Sequence, residues 1–238
     1  MITLRSPDEI FKAQGEIEEG TFQGRWHFSF GDYRDRKHTR FGALRVFNDD
    51  TLSPGAIWPL HPHREIEVVT YCAGGEFRHA DENGRGGVLK KGGVQHTTVG
   101  RGMWHSEINN RSDAPMRFIQ MWFYPSAEGL KPSVEQRHFE RKDRFNRLLP
   151  IVSPVHKGAL PIQSNARVFA LFLEKGRATD YRMEAGRGAY VYMLEGGPAR
   201  INERLVYEFG AAMIMDETDI FFRAEKDAEM LLIDVALS

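Results

Sequence analysis

The chain has 238 residues, 41% of them hydrophobic, enough apolar material for one large domain or two of ordinary size and too much for a disordered chain. Its 32 basic and 33 acidic residues leave a formal charge of -1, so no global field draws it to nucleic acid or to an anionic membrane surface. A single cysteine, Cys72, excludes an internal disulfide; with no apolar signal core and no apolar run near the roughly 20 residues of a membrane span, a cytoplasmic protein is expected.

Short apolar runs broken by Gly, Asn and Asp recur along the chain: FGALRVFNDD (41–50), EVVTYCAGGEFRHAD (67–81), MRFIQMWFYP (116–125), RVFALFLEKG (167–176), GAYVYMLEGGPARIN (188–202) and EMLLIDVAL (229–237). Their β-branched and aromatic content, with turn residues between, predicts an all-β protein of antiparallel sandwich or barrel type. The best helical candidate is the charged stretch SVEQRHFERKDRFNRLL (133–149), read as a connector. Pro125, Pro132, Pro150, Pro154 and Pro161 surround it, which places an N-terminal domain at 1–132 and a C-terminal one at 150–238. TYCAGGE (70–76) aligns with YMLEGGP (192–198) at an offset of 122 residues, and GGVQHTTVGRG (92–102) has a looser counterpart in GAAMIMDETDI (210–220). Two copies of one β-module are the economical reading.

Two stretches carry the candidate chemistry. In HPHREIEVVTYCAGG (61–75), strand alternation would put His61, His63, Glu65 and Glu67 on one face. In GRGMWHSEINN (100–110), His105 and Glu107 have the same spacing as His61 and His63. A lone pair of histidines two apart is more often a surface or hydrogen-bonded pair. Two such stretches facing one interior would supply three imidazoles and a carboxylate, donors suited to Fe(II), Mn(II), Co(II), Ni(II) or Zn(II).

The glycine framing extends the pattern. Gly55, His61, His63, Glu67 and Gly74 follow G-x5-H-x-H-x3-E-x6-G, which resembles the first motif of the cupin superfamily. Gly102, His105 and Asn109 resemble the second, with Gly100 where a proline is usual. Within cupins the chain resembles the pirin family, through WHFSFGDY (26–33), LRVFNDD (44–50), HPHREIEVVTY (61–71), GGVQHTTVGRGMWHSE (92–107) and SVEQRHF (133–139).

That resemblance implies two tandem cupin (jelly-roll) modules and one divalent metal ion, iron(II), held by His61, His63, His105 and Glu107. It also implies flavonol ring cleavage with O2, Glu107 taking the substrate hydroxyl proton, or alternatively a non-enzymatic, redox-sensitive role with a protein partner. Glu67 is expected to stand behind the metal and accept an N–H from a ligand histidine. Glu65 is read as a surface residue beside a bulge or an acidic group at the cavity mouth, and His96 as a hydrogen-bonded strand residue. His27 and Gln120 are candidates to face the pocket, and Cys72 is read as a buried small hydrophobe. Shifting the first motif by 122 residues puts Met183, Ala185 and Ala189 at the positions of His61, His63 and Glu67, so only the N-terminal module is expected to hold metal.

Overall fold

The structure, a computed structural model, describes residues 1–82, 84 and 86–237. It is all-β, as the alternating runs require, and consists of two modules of one design. With strands numbered in chain order, the large sheet of the first module runs β12 (Ser133–His138), β9 (Gly93–Thr98), β6 (Glu67–Gly74), β11 (Met116–Phe123), β4 (Leu44–Leu52), β3 (Gly20–Trp26) and β2 (Phe11–Ile17). That of the second runs β1 (Ile2–Arg5), β19 (Ala211–Met215), β16 (Arg187–Gly196), β21 (Ala228–Ala236), β14 (Ala166–Leu173) and β13 (Leu149–Val152). Each module has a four-stranded sheet as well. The first is β5 (Ile57–His63), β10 (Met103–Asn109), β7 (Glu76–Asp81) and β8 (Gly86–Lys90); the second is β15 (Ala178–Arg182), β20 (Asp219–Ala224), β17 (Ala199–Ile201) and β18 (Arg204–Val206). The repeat seen in sequence is thus a structural one, with β6 and β16 each ending at a Gly-Gly pair.

The helical expectation for the connector is wrong. Residues 133–138 form β12, fully registered with β9, and one turn of 3-10 helix at Arg141–Arg144 follows. Isolated helices are marginal, and the sheet edge at β9 offered this segment a complete hydrogen-bond ladder instead. The first strand crosses the other way, β1 pairing with β19. Residues 2–5 thus complete the second module's sheet and 133–138 the first's.

The two large sheets meet in an apolar layer that includes Phe28, Phe47, Tyr71, Tyr190 and Tyr192, all fully buried. Polar contacts pierce it. Asp49, with no exposed surface, takes two bonds of 2.7 Å from Arg117 and the hydroxyl of Tyr192, and Tyr71 donates to Glu229 at 2.7 Å. His27 bonds the Tyr190 hydroxyl at 2.6 Å.

Replacing Asp49 with Ala leaves the Arg117 guanidinium and a buried tyrosine hydroxyl without their acceptor. Breaking one side of a buried pair costs about 3 kcal/mol when the partner is partly exposed, as Arg117 is. A urea titration is expected to show that loss at unchanged slope.

Candidate metal centre

The second barrel is filled mainly by an apolar cluster, in which Met183, Ala189, Val191, Met193, Ile214, Ile220, Phe222 and Leu232 are all buried. The first barrel is different. Its apolar part is small, Leu52, Cys72, Phe77, Leu89, Met116 and Phe118 among it, and the remaining space is lined by polar side chains.

Strands β5 and β10 place the histidines. They pair antiparallel with His105 opposite His61, and the register slips between His105 and Glu107, which pairs with Trp58. The slip bulges β5 at Pro59 and Leu60, where a proline is tolerated because a ladder bond is already lost. The bulge also gives His61 its orientation. Its Nδ1 lies 2.7 Å from the Pro59 carbonyl, which can only accept, so Nδ1 carries the proton and Nε2 keeps a lone pair.

The other two imidazoles converge on it. One ring nitrogen from each of His61, His63 and His105 lies within 4.8 Å of the others. The Nε2 atoms of His63 and His105 are buried without a hydrogen-bond partner. Burial lowers the pKa of His63 to about 4, with His61 adding to the effect, and that of His105 to about 2. Both are therefore neutral at physiological pH. Neutral imidazoles with buried lone pairs aimed together are the donor arrangement that a divalent cation completes.

Glu107 lies in the same cavity, 4% exposed, and accepts from the Gln120 side-chain amide. Burial raises its pKa, opposed by His61 and by the Gln120 hydrogen bond. Gln120 is held in turn by Trp122, whose Nε1 donates to the Gln120 carbonyl at 3.0 Å. The ring of Trp122 also packs edge-on against His63, at 4.5 Å between centroids. The cavity, about 70 Å3, is closed by Phe30, Trp58 and Trp122 and walled by Asn48 and Asp50. Burial drives the Asp50 pKa well above its usual range, against a hydrogen bond from Trp26 Nε1. A larger cavity of about 560 Å3 lies between the modules, away from the histidines, and much of its charged lining is self-paired, Lys91 with Glu195 and Arg144 with Glu229.

Several expected residues lie elsewhere. Glu65 is a turn residue at φ +51°, its carboxylate accepting the Gly129 N–H. The turn ends β5 at His63, so the run of 61–67 is not one strand and Glu67 does not share the face of His61 and His63. The expectation that Glu67 supports a ligand histidine is overturned. Its Oε2 accepts from His96 Nε2 at 2.7 Å and from the Gln163 N–H at 2.9 Å, between the modules. His96 is the hydrogen-bonded strand residue expected, and His27 faces Tyr190 rather than the pocket. At Gly100, φ is +52° and a Cβ would lie 2.0 Å from the Leu130 carbonyl, which excludes the usual proline.

Sequence reasoning missed His79, Asn48, Asp50 and Trp122. His79 Nε2 lies 3.0 Å from His105 Nδ1, so that the Nε2 of His105 is the nitrogen left to face His61 and His63. A signal for it existed: Phe77, His79 and Asp81 alternate with more exposed residues on β7 and are all buried.

Comparison with known proteins decides the relationship. The pirin family model matches residues 10–123, and that of the quercetinase C-terminal cupin domain matches 150–235. A pirin-like protein of Caulobacter vibrioides is 34% identical, over 95% of this chain and 97% of its own. The chain belongs to the pirin family. Within it, the quercetin 2,3-dioxygenase of Escherichia coli K12 is 30% identical over 99% of both chains. The crystal structure of the Escherichia coli pirin YhhW in complex with nickel(II) superposes with a TM-score of 0.91, at 29% identity and full coverage of both chains.

Two predictions test the site in this pirin. His79→Leu removes the partner of His105 Nδ1 while keeping the candidate donors, and losing such a support costs about 10- to 100-fold in metal affinity. Titration of nickel(II) into the metal-free variant and wild type measures it, with His79→Gln, which keeps an acceptor, recovering much of the loss. In the metal-free protein, His63 and His105 stay neutral when folded and take up protons near pH 6.5 when unfolded. The unfolded state then binds more protons, so stability falls as pH drops from about 6.5 towards about 4, by up to about 1.4 kcal/mol per pH unit for each histidine. Urea midpoints at pH 7.5, 6 and 5 are expected to decrease in that order.

Proposed function

We propose that this chain is a metal-dependent dioxygenase that opens the ring of flavonols such as quercetin, using one iron(II) held by His61, His63, His105 and Glu107. The observation that carries this reading is the convergence of three imidazoles, two with buried, unpartnered Nε2 atoms, beside a buried carboxylate in one cavity. The names of its relatives and the nickel complex of the Escherichia coli pirin support it. A redox-active divalent ion bound there would supply a Lewis acid for the substrate hydroxyl and a centre for reaction with dioxygen.

The protein's own groups do the rest. His61 is held in one tautomer by the Pro59 carbonyl and His105 is supported by His79, so the donors are oriented before any ligand arrives. Glu107 neutralises charge and, as the catalytic residue, receives the flavonol hydroxyl proton on its carboxylate; burial, which raises its pKa, makes it the stronger base. Gln120 holds one carboxylate oxygen and leaves the other, which would bind the metal and, released from it, take the proton. Phe30, Trp58 and Trp122 present flat apolar surfaces to an aromatic ring and exclude water from the reaction.

The second module offers no comparable donors. No histidine follows His156 in the chain, and Met183 and Ala189 lie within an apolar core. Elemental analysis is accordingly expected to give one metal per chain, with quercetin-dependent oxygen uptake in air. Glu107→Gln is expected to weaken metal binding substantially and abolish uptake. Glu67→Gln keeps both and instead lowers the unfolding midpoint, because its bonds join the modules. Loss of metal in Glu67→Gln but not in Glu107→Gln would show the ligand assignment to be wrong.

A further inference from the structure

We propose that Asn48 reads a third substrate oxygen beside the metal centre, so that the site selects rings bearing three adjacent oxygens over rings bearing two. This rests on the metal reading above and names the class of ligand that the site takes.

Asn48 stands in the middle of β4, opposite Gln120 of β11 on one side and Trp26 of β3 on the other. It is 2% exposed, lines the same cavity as His61, His63 and Glu107, and its Oδ1 has no hydrogen-bond partner. Its polar neighbours are committed elsewhere: Gln120 to Glu107 and Trp122, Asp50 to Trp26. A buried amide oxygen without a hydrogen-bond partner is destabilising relative to an apolar group of its size. A ligand can supply what the fold does not.

The unpartnered atoms divide by chemistry. The Nε2 atoms of His63 and His105 are imidazole lone pairs suited to a cation, whereas Asn48 Oδ1, on another wall, is an amide oxygen that takes an O–H. A ligand with two oxygens at the metal and a hydroxyl beside them satisfies both. Quercetin has a related pattern along one edge, a hydroxyl and a carbonyl on adjacent carbons of one ring and a second hydroxyl beside the carbonyl on the fused ring. The cavity, about 70 Å3, has room for about two waters, space for one oxygenated ring edge rather than for three rings.

The test uses single-ring probes, so it does not depend on flavonol turnover. Nickel-loaded protein is titrated anaerobically with catechol, which has two adjacent hydroxyls, and with pyrogallol, which has three. Fluorescence of Trp58 and Trp122, which line the cavity, reports binding. One added hydrogen bond predicts pyrogallol binding about 10-fold more tightly than catechol in the wild type. Asn48→Leu is expected to abolish that preference while leaving catechol affinity within about 3-fold. If the leucine variant fails to fold or to take up nickel, Asn48→Ala, which adds no bulk, is read in its place. Equal affinities in the wild type, an undiminished preference in the variant, equal weakening of both probes, or no binding of either would each overturn the proposal. Absence of quercetin-dependent oxygen uptake, with the pyrogallol preference intact, would instead count against the flavonol reading alone.

Discussion

The reversal of the backbone at Glu65, with φ at +51°, is the constraint on which both the candidate site and the joint between modules depend. Upstream of it, β5 sends His61 and His63 into the barrel; downstream, β6 begins with Glu67 directed at the other module. A continuous strand would have placed two glutamates beside two histidines on one face. The turn instead keeps Glu67 out of the cavity, whose carboxylates are Glu107 from β10 and Asp50 from β4, and gives it to His96 and Gln163. A left-handed conformation at a residue with a side chain costs on the order of 1 kcal/mol. Bonds from the Glu65 N–H to the Gly100 carbonyl and from Gly129 to its carboxylate offset that cost.

Duplication shows what the polar interior requires. Both modules share strand order, yet one barrel is filled with methionine, valine, isoleucine and phenylalanine while the other holds imidazoles, carboxylates and amides. Apolar filling stabilises at roughly 25 cal/mol per Å2 buried, and buried polar groups without partners do the opposite. The first module keeps the less favourable filling, and the second, joined to it through a broad apolar layer, contributes packing.

Much of this was legible in the sequence, for physical reasons that also explain what was not. Strand identity follows from alternation and β-branched content, and the spacing of His61, His63, His105 and Glu107 survives because each pair lies within one strand. Glu67 was misread because alternation holds only while the strand does, and nothing in HPHREIEV marks the turn other than a glutamate in a conformation that glycine favours. The connector was misread because charge density resembles a solvated helix equally well whether or not a neighbouring sheet edge awaits it. His79, Asn48 and Trp122 come from strands distant in the chain, so no local spacing ties them to the histidines; register across β10, β7, β4 and β11 brings them there.

The same register binds the site to the module joint. Asn48, Asp49 and Asp50 are consecutive on β4: the first and third wall the cavity, and the second takes Arg117 from the neighbouring strand and Tyr192 from across the interface. On β11, Gln120 faces Glu107, while Ile119 and Met121 on either side of it pack into the layer between modules. An apolar layer alone is non-directional and would tolerate sliding of one sheet over the other. Buried bonds from Asp49, Glu67, Tyr71 and His27 to the second module have fixed lengths and directions, and a buried polar group left unpaired by a slip is penalised. Because cavity residues and joint residues alternate along the same strands, holding the joint in register also holds the cavity wall in place, which is what the second module contributes to the first.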